Sequence, residues 1–454
     1  MEFASSRFAA IESALEPVLG ALAAHEPVAW SGPRSWWAGP LDVEGLAVAS
    51  VTLALRAACV LAKERGHPIR LGTAADRVAG AFGSLAHLRV DGRAPVAWAP
   101  MSGWFETADG WIRLHANYPH HAAALSRSLG VHDRNGLEGV LRRICSIEAE
   151  DQVRSDGGIA GAMRTVEEWR SSPMAMALED GPWLAFHGSG EARPLARTTD
   201  LPLSGIRVLD LTRVVAGPTC TQLLALLGAD VLRLDHPDRP EDLDTYLATG
   251  AGKRSAVADL RLERSGHRVH QLLDDADVLV TGYRPGALAN LGLDDATIRS
   301  RHRHLVHVNL SAWGAAGPWA LERGFDSIVQ AVSGIGHVYG SSDGSGRFTP
   351  GALPVQALDI TAGFGMAAAV LALLATRPQQ GAGSAHVSLA GTAGILLDAG
   401  RDAAAQTRAL TVLTAETSSP HGRLTRAASP ISLDGSPLPV PAPGEYGIAD
   451  LTWL

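Results

Sequence analysis

Short aliphatic and β-branched runs punctuate the chain between Ile206 and Leu310: Ile206-Arg-Val-Leu-Asp-Leu211, Val231-Leu-Arg-Leu234, Ser255-Ala-Val-Ala258, Val278-Leu-Val280 and Leu305-Val-His-Val-Asn-Leu310. Runs this apolar suit strands covered on both faces, and helical spacing fills the gaps between them. The pattern predicts an α/β unit built on a doubly wound parallel sheet. Its first connection opens Ala216-Gly-Pro218 and reads as an apolar helix to Leu227. Pro218 suits the first turn, where a missing N–H has no partner to lose, and Gly228 ends the helix. A sheet of this kind binds ligands beyond the carboxyl ends of its strands, which puts the expected nucleotide rim on the loops after Leu211, Leu234 and Val280.

Upstream of residue 200 the texture changes. Gly103-Trp-Phe-Glu-Thr-Ala-Asp-Gly-Trp-Ile-Arg-Leu114 holds two strand-like runs around an Asp109-Gly110 turn, and helical patterns follow over His121–Gly130, Leu137–Ile144 and Thr165–Leu178. A hairpin followed by helices predicts a second, smaller α+β domain. The plan is therefore a helical segment over 1–95, the small domain over 96–200, the sheet domain over 201–417 and a tail over 418–454. The tail is rich in Pro, Ser and Gly and is expected to run extended over another element. The uncharged run Ile360–Thr376 falls short of the ~20 residues that span a bilayer and reads as a buried core helix. Over Met1–Pro27 the apolar residues are spaced as on an amphipathic helix, and Glu2 stands where a signal peptide wants positive charge, so secretion is not expected.

Charge and cysteine content narrow the function. With 39 basic and 47 acidic residues the net charge is −8, which gives nucleic acid nothing to hold. Cys59, Cys145 and Cys220 are scattered and odd in number, so no disulfide framework or zinc site is written, and a cytoplasmic location is the expectation. His302, His304 and His307 lack the carboxylates or cysteines that would complete a metal site, and no metal is expected.

Ordered fragments then identify a resemblance. Leu203-Ser-Gly-Ile-Arg-Val-Leu-Asp-Leu-Thr212 with Ala216-Gly-Pro218, Leu227-Gly-Ala-Asp-Val231, Gly252-Lys-Arg-Ser255, Ala276-Asp-Val-Leu-Val280, Arg284-Pro-Gly286, Trp313-Gly314, Gly317-Pro318, Gly324-Phe-Asp326 and Gln330-Ala-Val-Ser-Gly334 stand in order. From Leu203 to about Leu389 the chain resembles the family III CoA-transferases, which include formyl-CoA transferase, carnitine CoA-transferase and the α-methylacyl-CoA racemases. The resemblance implies a Rossmann-like sheet domain, acyl-CoA and carboxylic acid substrates, no permanently bound cofactor, no membrane partner and an interlocked homodimer. It also implies that Asp359, in Gly351-Ala-Leu-Pro-Val-Gln-Ala-Leu-Asp-Ile-Thr-Ala-Gly363, is the acyl-accepting carboxylate. Such a carboxylate attacks a thioester to form an anhydride and then an aspartyl-CoA thioester, with nearby helix N-terminal N–H groups available to the developing charge. The residue types alone also allow Asp359 to be a helix cap.

The CoA-contacting positions implied by the resemblance are Val215, Ala216, Arg233, His236, Lys253, Arg254, Arg284 and Arg323, with Lys253-Arg254 favoured for phosphate; solvated surface residues are the alternative for each cation. Several depart from formyl-CoA transferase: Val215 stands for a glutamine, Gly282 for an asparagine, Asn290 for an arginine and His236 for an arginine. Phe325 stands where the racemase branch carries a histidine, which disfavours proton exchange next to the thioester. A non-catalytic CoA-binding or subunit-like homologue remains the second reading. The domain order is also unusual, because the block resembling the family's small domain precedes the sheet. Leu41-Asp-Val-Glu-Gly45 with the helix after it resembles a faint copy of the Asp359 segment, making Asp42 a vestigial counterpart. Gly340-Ser-Ser-Asp-Gly344 fits the hydrolase elbow pattern without the helix the elbow requires, and reads as a surface turn or a cover for the acyl site. Gly250-Ala-Gly-Lys253 lacks the remainder of a phosphate-binding loop. Trp30, Trp36, Trp37, Trp98, Trp104 and Trp111 are open to two readings, acyl pocket or core.

Overall fold

The computed structural model describes residues 7–20, 22, 28–178, 181–188, 190–401 and 407–454. Its main sheet runs in the order Lys253–Val257, Asp230–Asp235, Arg207–Leu211, Val278–Thr281, Val306–Ser311, Gly383–Ser388 and Ala185–Gly188. The first six pair in parallel and the last is antiparallel. The five expected strands are present within a residue or two of their predicted bounds. Strand order reverses between Arg207–Leu211 and Val278–Thr281, so the crevice at their carboxyl ends is where such a sheet takes ligand. Two strands are additions. Gly383–Ser388 opens on Gly-Ser and carries too few β-branched residues to announce itself, and Ala185–Gly188 comes from the stretch assigned to the small domain, whose own fold ends before it.

Helix Ala216–Leu226 follows the first strand as expected. Two long apolar helices form the centre of the main core, Val43–Glu64 and Ala357–Gln380. By length and composition both could cross a membrane, yet 89% and 100% of their most apolar windows are buried inside the fold. They pack together, and their ends hold buried arginines: Arg377 donates to Asp277 at 3.0 Å, while Arg65 donates to the Ala196 and Pro202 carbonyls at 2.8 and 2.7 Å. Phe82 stacks on Phe364 with ring centres 6.1 Å apart. Trp30, Trp36 and Trp37 join this core beside Phe82 and take no part in the small domain.

The hairpin Gly103–Glu106 with Trp111–Leu114 forms as predicted and gains a third antiparallel strand, Ala160–Ala162. Helices Pro119–Leu129, Arg134–Leu141 and Ser146–Ser155 cover the face bearing Phe105, Ile112, Leu114 and Ala160. The helix expected over Thr165–Leu178 is two short ones, Val166–Arg170 and Pro173–Met176, because Pro173 cannot continue the hydrogen-bond ladder and begins a new turn capped by Ser172.

Part of Met1–Pro27 lies outside the described residues; the described part holds two short helices, Ala9–Glu12 and Glu16–Leu19. The tail is less extended than expected. Thr414–Ser419 and Gly422–Ala427 form a hairpin that pairs with Arg89–Val90. Ser432–Leu433 pairs with Leu71–Ala74, and the last stretch lies along the main sheet: Gly447 N and Ala449 N donate to Ser255 at 3.0 and 2.8 Å, and Trp453 Nε1 donates to the Leu272 carbonyl at 3.1 Å. It shields the outer edge of the sheet, where unpaired backbone groups would otherwise invite pairing.

Candidate active site

Asp359 occupies the first turn of helix Ala357–Gln380, but it does not cap that helix. The residue at the cap position is Gln356, whose side chain makes no capping bond, and the orphan amides are satisfied from outside. Leu358 N and Asp359 N each donate to Asp326 Oδ2 at 3.0 Å. Gln330 Nε2 donates a short hydrogen bond to the other Asp326 oxygen, and Leu353 N fixes Gln330 by donating to its Oε1 at 2.9 Å. Asp326, at the start of helix Asp326–Val332, is thus the cap of a helix distant in sequence. The expected helix donors for Asp359 are taken by Asp326, which corrects that part of the sequence reading.

The Asp359 carboxyl is left buried, at 6% exposure, and accepts no hydrogen bond from a described residue. Burial, and then the charge of Asp326, push it well above the ordinary carboxylate range. Burial also raises Asp326, to about 6, against the pull of the N–H groups that it accepts. Because those donors favour an ionised Asp326, the proton shared by this pair resides mainly on Asp359.

One helical turn beyond Asp359, Gly363 lets another helix come close. A Cβ there would lie 2.5 Å from the Ala216 carbonyl oxygen and 2.8 Å from Thr219 Cβ. This contact brings Val215 and Ala216, both expected to contact CoA, to the start of the Asp359 helix. The preceding residue, Val214, holds φ 70°, a left-handed conformation that a β-branched residue adopts only under constraint. Its N–H donates to Glu241 Oε2 at 2.8 Å, and Glu241 Oε1 accepts from Tyr118 OH of the small domain at 2.6 Å. Burial pushes Glu241 up, but Arg233 and Arg213 outweigh it and hold the carboxylate below its ordinary range.

The expected CoA cations divide. Arg233 is fully buried and paired with Asp235 at 2.7 Å and Glu241 at 3.1 Å. Lys253 is buried against Asp210 at 3.3 Å and the Pro218 carbonyl at 2.9 Å, and burial pulls it down to about 8. Arg254 pairs with Asp230 at 2.9 Å and donates to the Thr452 carbonyl. His236 faces Asp259 at 3.2 Å. Arg233 and Lys253 are therefore internal ion pairs, and Arg254 of the favoured pair Lys253-Arg254 is a partly exposed one. A solvated surface position does not describe Arg233 or Lys253, whose side chains are fully buried. Arg284 and Arg323 are the open ones, each donating only to a carbonyl, of Leu321 at 3.3 Å and of Gly157 at 3.2 Å. Arg284 lines a cleft with Thr281, Tyr283 and Ser311 at the strand ends.

The remaining motifs resolve simply. Gly340–Gly344 lies on a small hairpin, Ser341–Ser342 with Phe348–Thr349, whose turn is held by Asp343. Asp42 caps helix Val43–Glu64 by accepting from Gly45 N at 2.9 Å and pairs with Arg34. His302 faces His270 and Asp274, while His307 faces Thr281 and Asp295, so they do not converge. Among the described residues no group of three or more His, Cys, Asp or Glu side chains could hold a metal ion.

Sequence reasoning missed what the small domain brings. Strand alternation puts Trp104, Arg113 and Gly161 on the face opposite its own core, and Gly161 abuts Ile328 and Val332 of the Asp326 helix. Trp104 Nε1 donates to the Gly351 carbonyl at 3.3 Å. His115 stacks flat on Phe325 with ring centres 4.0 Å apart, and burial drops it to about 4, so the imidazole is neutral. The small domain thus packs beside the Asp326–Asp359 pair within one chain. The Asp109-Gly110 signal located the hairpin, but nothing in the sequence locates the surface it meets.

Comparisons with known proteins bear on the sheet domain. The family described as CoA-transferase family III matches residues 203–433, just over half of the chain. A succinate–glutarate CoA-transferase of Agrobacterium fabrum is 34% identical over 207 residues, covering 42% of this chain and 50% of its own. A probable fatty acyl-CoA transferase of Mycobacterium tuberculosis is 35% identical over 193 residues, covering 40% and 48%. A crystal structure from Mycobacterium tuberculosis aligns at 36% identity with a TM-score of 0.39, covering 42% of this chain and 54% of its own. The chain spans about half the length of the curated relatives it matches. With the match over half its length and the sheet order seen above, the chain belongs to CoA-transferase family III.

Proposed function

We propose that this chain transfers CoA from an acyl-CoA to a carboxylic acid through covalent intermediates on Asp359. The observation that carries the reading is the Asp359 carboxyl itself, buried without a donor at the head of an apolar helix, one turn from the contact with Ala216. An ionised Asp359 attacks the thioester carbonyl and CoA thiolate leaves, giving a mixed anhydride. The thiolate then attacks the aspartyl carbonyl, releasing the donor acid and leaving an aspartyl-CoA thioester. The acceptor carboxylate attacks that thioester to form a second anhydride, and the thiolate takes the new acyl group, which regenerates Asp359. Every bond broken is matched by one formed, so no ATP is consumed.

The relatives' names, succinate–glutarate and fatty acyl transferases, select the first substrates to try. Succinyl-CoA with glutarate and a long-chain acyl-CoA with free acid form the starting panel. Adducts trapped with hydroxylamine or borohydride and mapped by mass spectrometry should fall on Asp359, and D359A should reduce transfer by about 10³-fold or more. A non-catalytic CoA-binding homologue is the second reading, favoured by the internal pairing of Arg233, Lys253 and Arg254, which leaves fewer charges for phosphate. It predicts CoA binding with no adduct. An interlocked homodimer in the cytoplasm completes the proposal.

A further inference from the structure

Arg113 is a half-buried cation without an anion. It lies on the small-domain face turned toward helix Asp326–Val332, its guanidinium 4.6 Å from the ring centre of Trp98 and 5.8 Å from that of Trp104. Its Nε is buried and has no hydrogen-bond partner, and no carboxylate among the described residues lies within ion-pairing distance. Burial draws it down to about 10, with Asp326 acting in the opposite direction. Burying Nε without a hydrogen-bond partner, beside a charge that no carboxylate offsets, is costly, and buried charges in stable folds are paired. Arg233 is buried on Asp235, and the buried Arg65 and Arg426 donate to backbone carbonyls, whereas Arg113 has neither kind of partner among the described residues.

Position narrows what the missing anion is. Arg113 stands outside ion-pairing range of Asp326 yet close enough that each affects the other's ionisation, so it faces the acyl end of the site and not the strand-end loops where a nucleotide sits. Next to it His115, stacked on Phe325, presents an Nδ1 that is also buried without a partner. An acid approaching two buried aspartates meets repulsion, which a planar guanidinium fork on the small-domain face turned toward the Asp326 helix would offset.

We propose that Arg113, held between Trp98 and Trp104, binds the second carboxylate of a dicarboxylic acid whose first carboxylate reacts at Asp359. The inference rests on the transferase reading for the reacting end, but the binding site itself can be tested without turnover. In steady-state transfer from succinyl-CoA, the acceptors to compare are glutarate and pentanoate, which have the same carbon count and differ by one carboxylate. Wild type should prefer glutarate, and R113Q should raise the KM for glutarate by about 10-fold or more while moving that for pentanoate far less. R113K, which keeps the charge and loses the fork, should fall between. Equal shifts for both acids would place Arg113 on the reacting carboxylate and overturn the proposal, as would a shift confined to the acyl-CoA, which would indicate a CoA phosphate. If wild type turns over neither acid, transfer to these acceptors fails and tryptophan fluorescence decides the subsite. Saturable quenching by glutarate in wild type, lost in R113Q and weakened in R113K, supports it, and no glutarate response in wild type rejects it.

Discussion

Asp359 carries two opposed demands. It must be ionised to attack a thioester, yet burial and Asp326 both favour its protonated form. The sign of the pH dependence follows: a carboxyl raised above its ordinary range becomes a nucleophile only above that raised value, so kcat/KM for the acyl-CoA should climb as pH rises beyond the ordinary carboxylate range. Replacing Asp326 by Asn removes the facing negative charge, so D326N should move this acid limb to lower pH, with Arg113 and neutral His115 as the other nearby groups. The check is a pH–rate profile of both proteins. A limb that stays in place in D326N would show that Asp326 does not set the ionisation of Asp359. Asp359 was legible as a residue because ordered motifs frame it, whereas its state was not. That state depends on Asp326, Gln330 and Leu353, which only the folded chain brings together.

At the scale of elements, the contact between helices Ala216–Leu226 and Ala357–Gln380 fixes the distance from the first strand's loop to Asp359. Gly363 is what permits it, since any side chain would strike the Ala216 carbonyl oxygen, a backbone atom that cannot swing away. G363A should therefore cost about 1–3 kcal/mol by denaturant unfolding and lower transfer as well, because the loop is pushed back from the carboxylate. Unchanged stability would mean that the helices separate freely there. The sheet was readable because buried parallel strands are continuously apolar, and Val278–Thr281 and Val306–Ser311 stand out from their surroundings. Gly383–Ser388 was not, being small and polar until it pairs with Val306–Ser311. Lys253 and Arg254 show the same limit in side chains. Their motif is recognisable, but their partners Asp210 and Asp230 lie on other strands of the sheet, two strands and one strand away, and offset their charge.

Over the whole molecule, the segment before residue 200 does two jobs. It supplies the small sheet that packs on the Asp326 helix, and it supplies helix Val43–Glu64, which fills the core beside the Asp359 helix. The two long helices, alike in the sequence from Leu41-Asp-Val-Glu-Gly45 onward, pack side by side. Asp42, by contrast, is occupied as a cap and ion-pair partner. D42A should cost about 0.5–2 kcal/mol of stability and leave transfer intact, as judged by thermal unfolding and an acyl-transfer assay in parallel. Loss of transfer without loss of stability would give Asp42 a chemical role. The central claim is covalent chemistry at Asp359, and peptide mass mapping after incubation with acyl-CoA and hydroxylamine addresses it directly. A hydroxamate on Asp359 in wild type, lost in D359A while CoA binding remains, is the predicted result; an adduct on another residue, or none across the acyl-CoA panel, would contradict it.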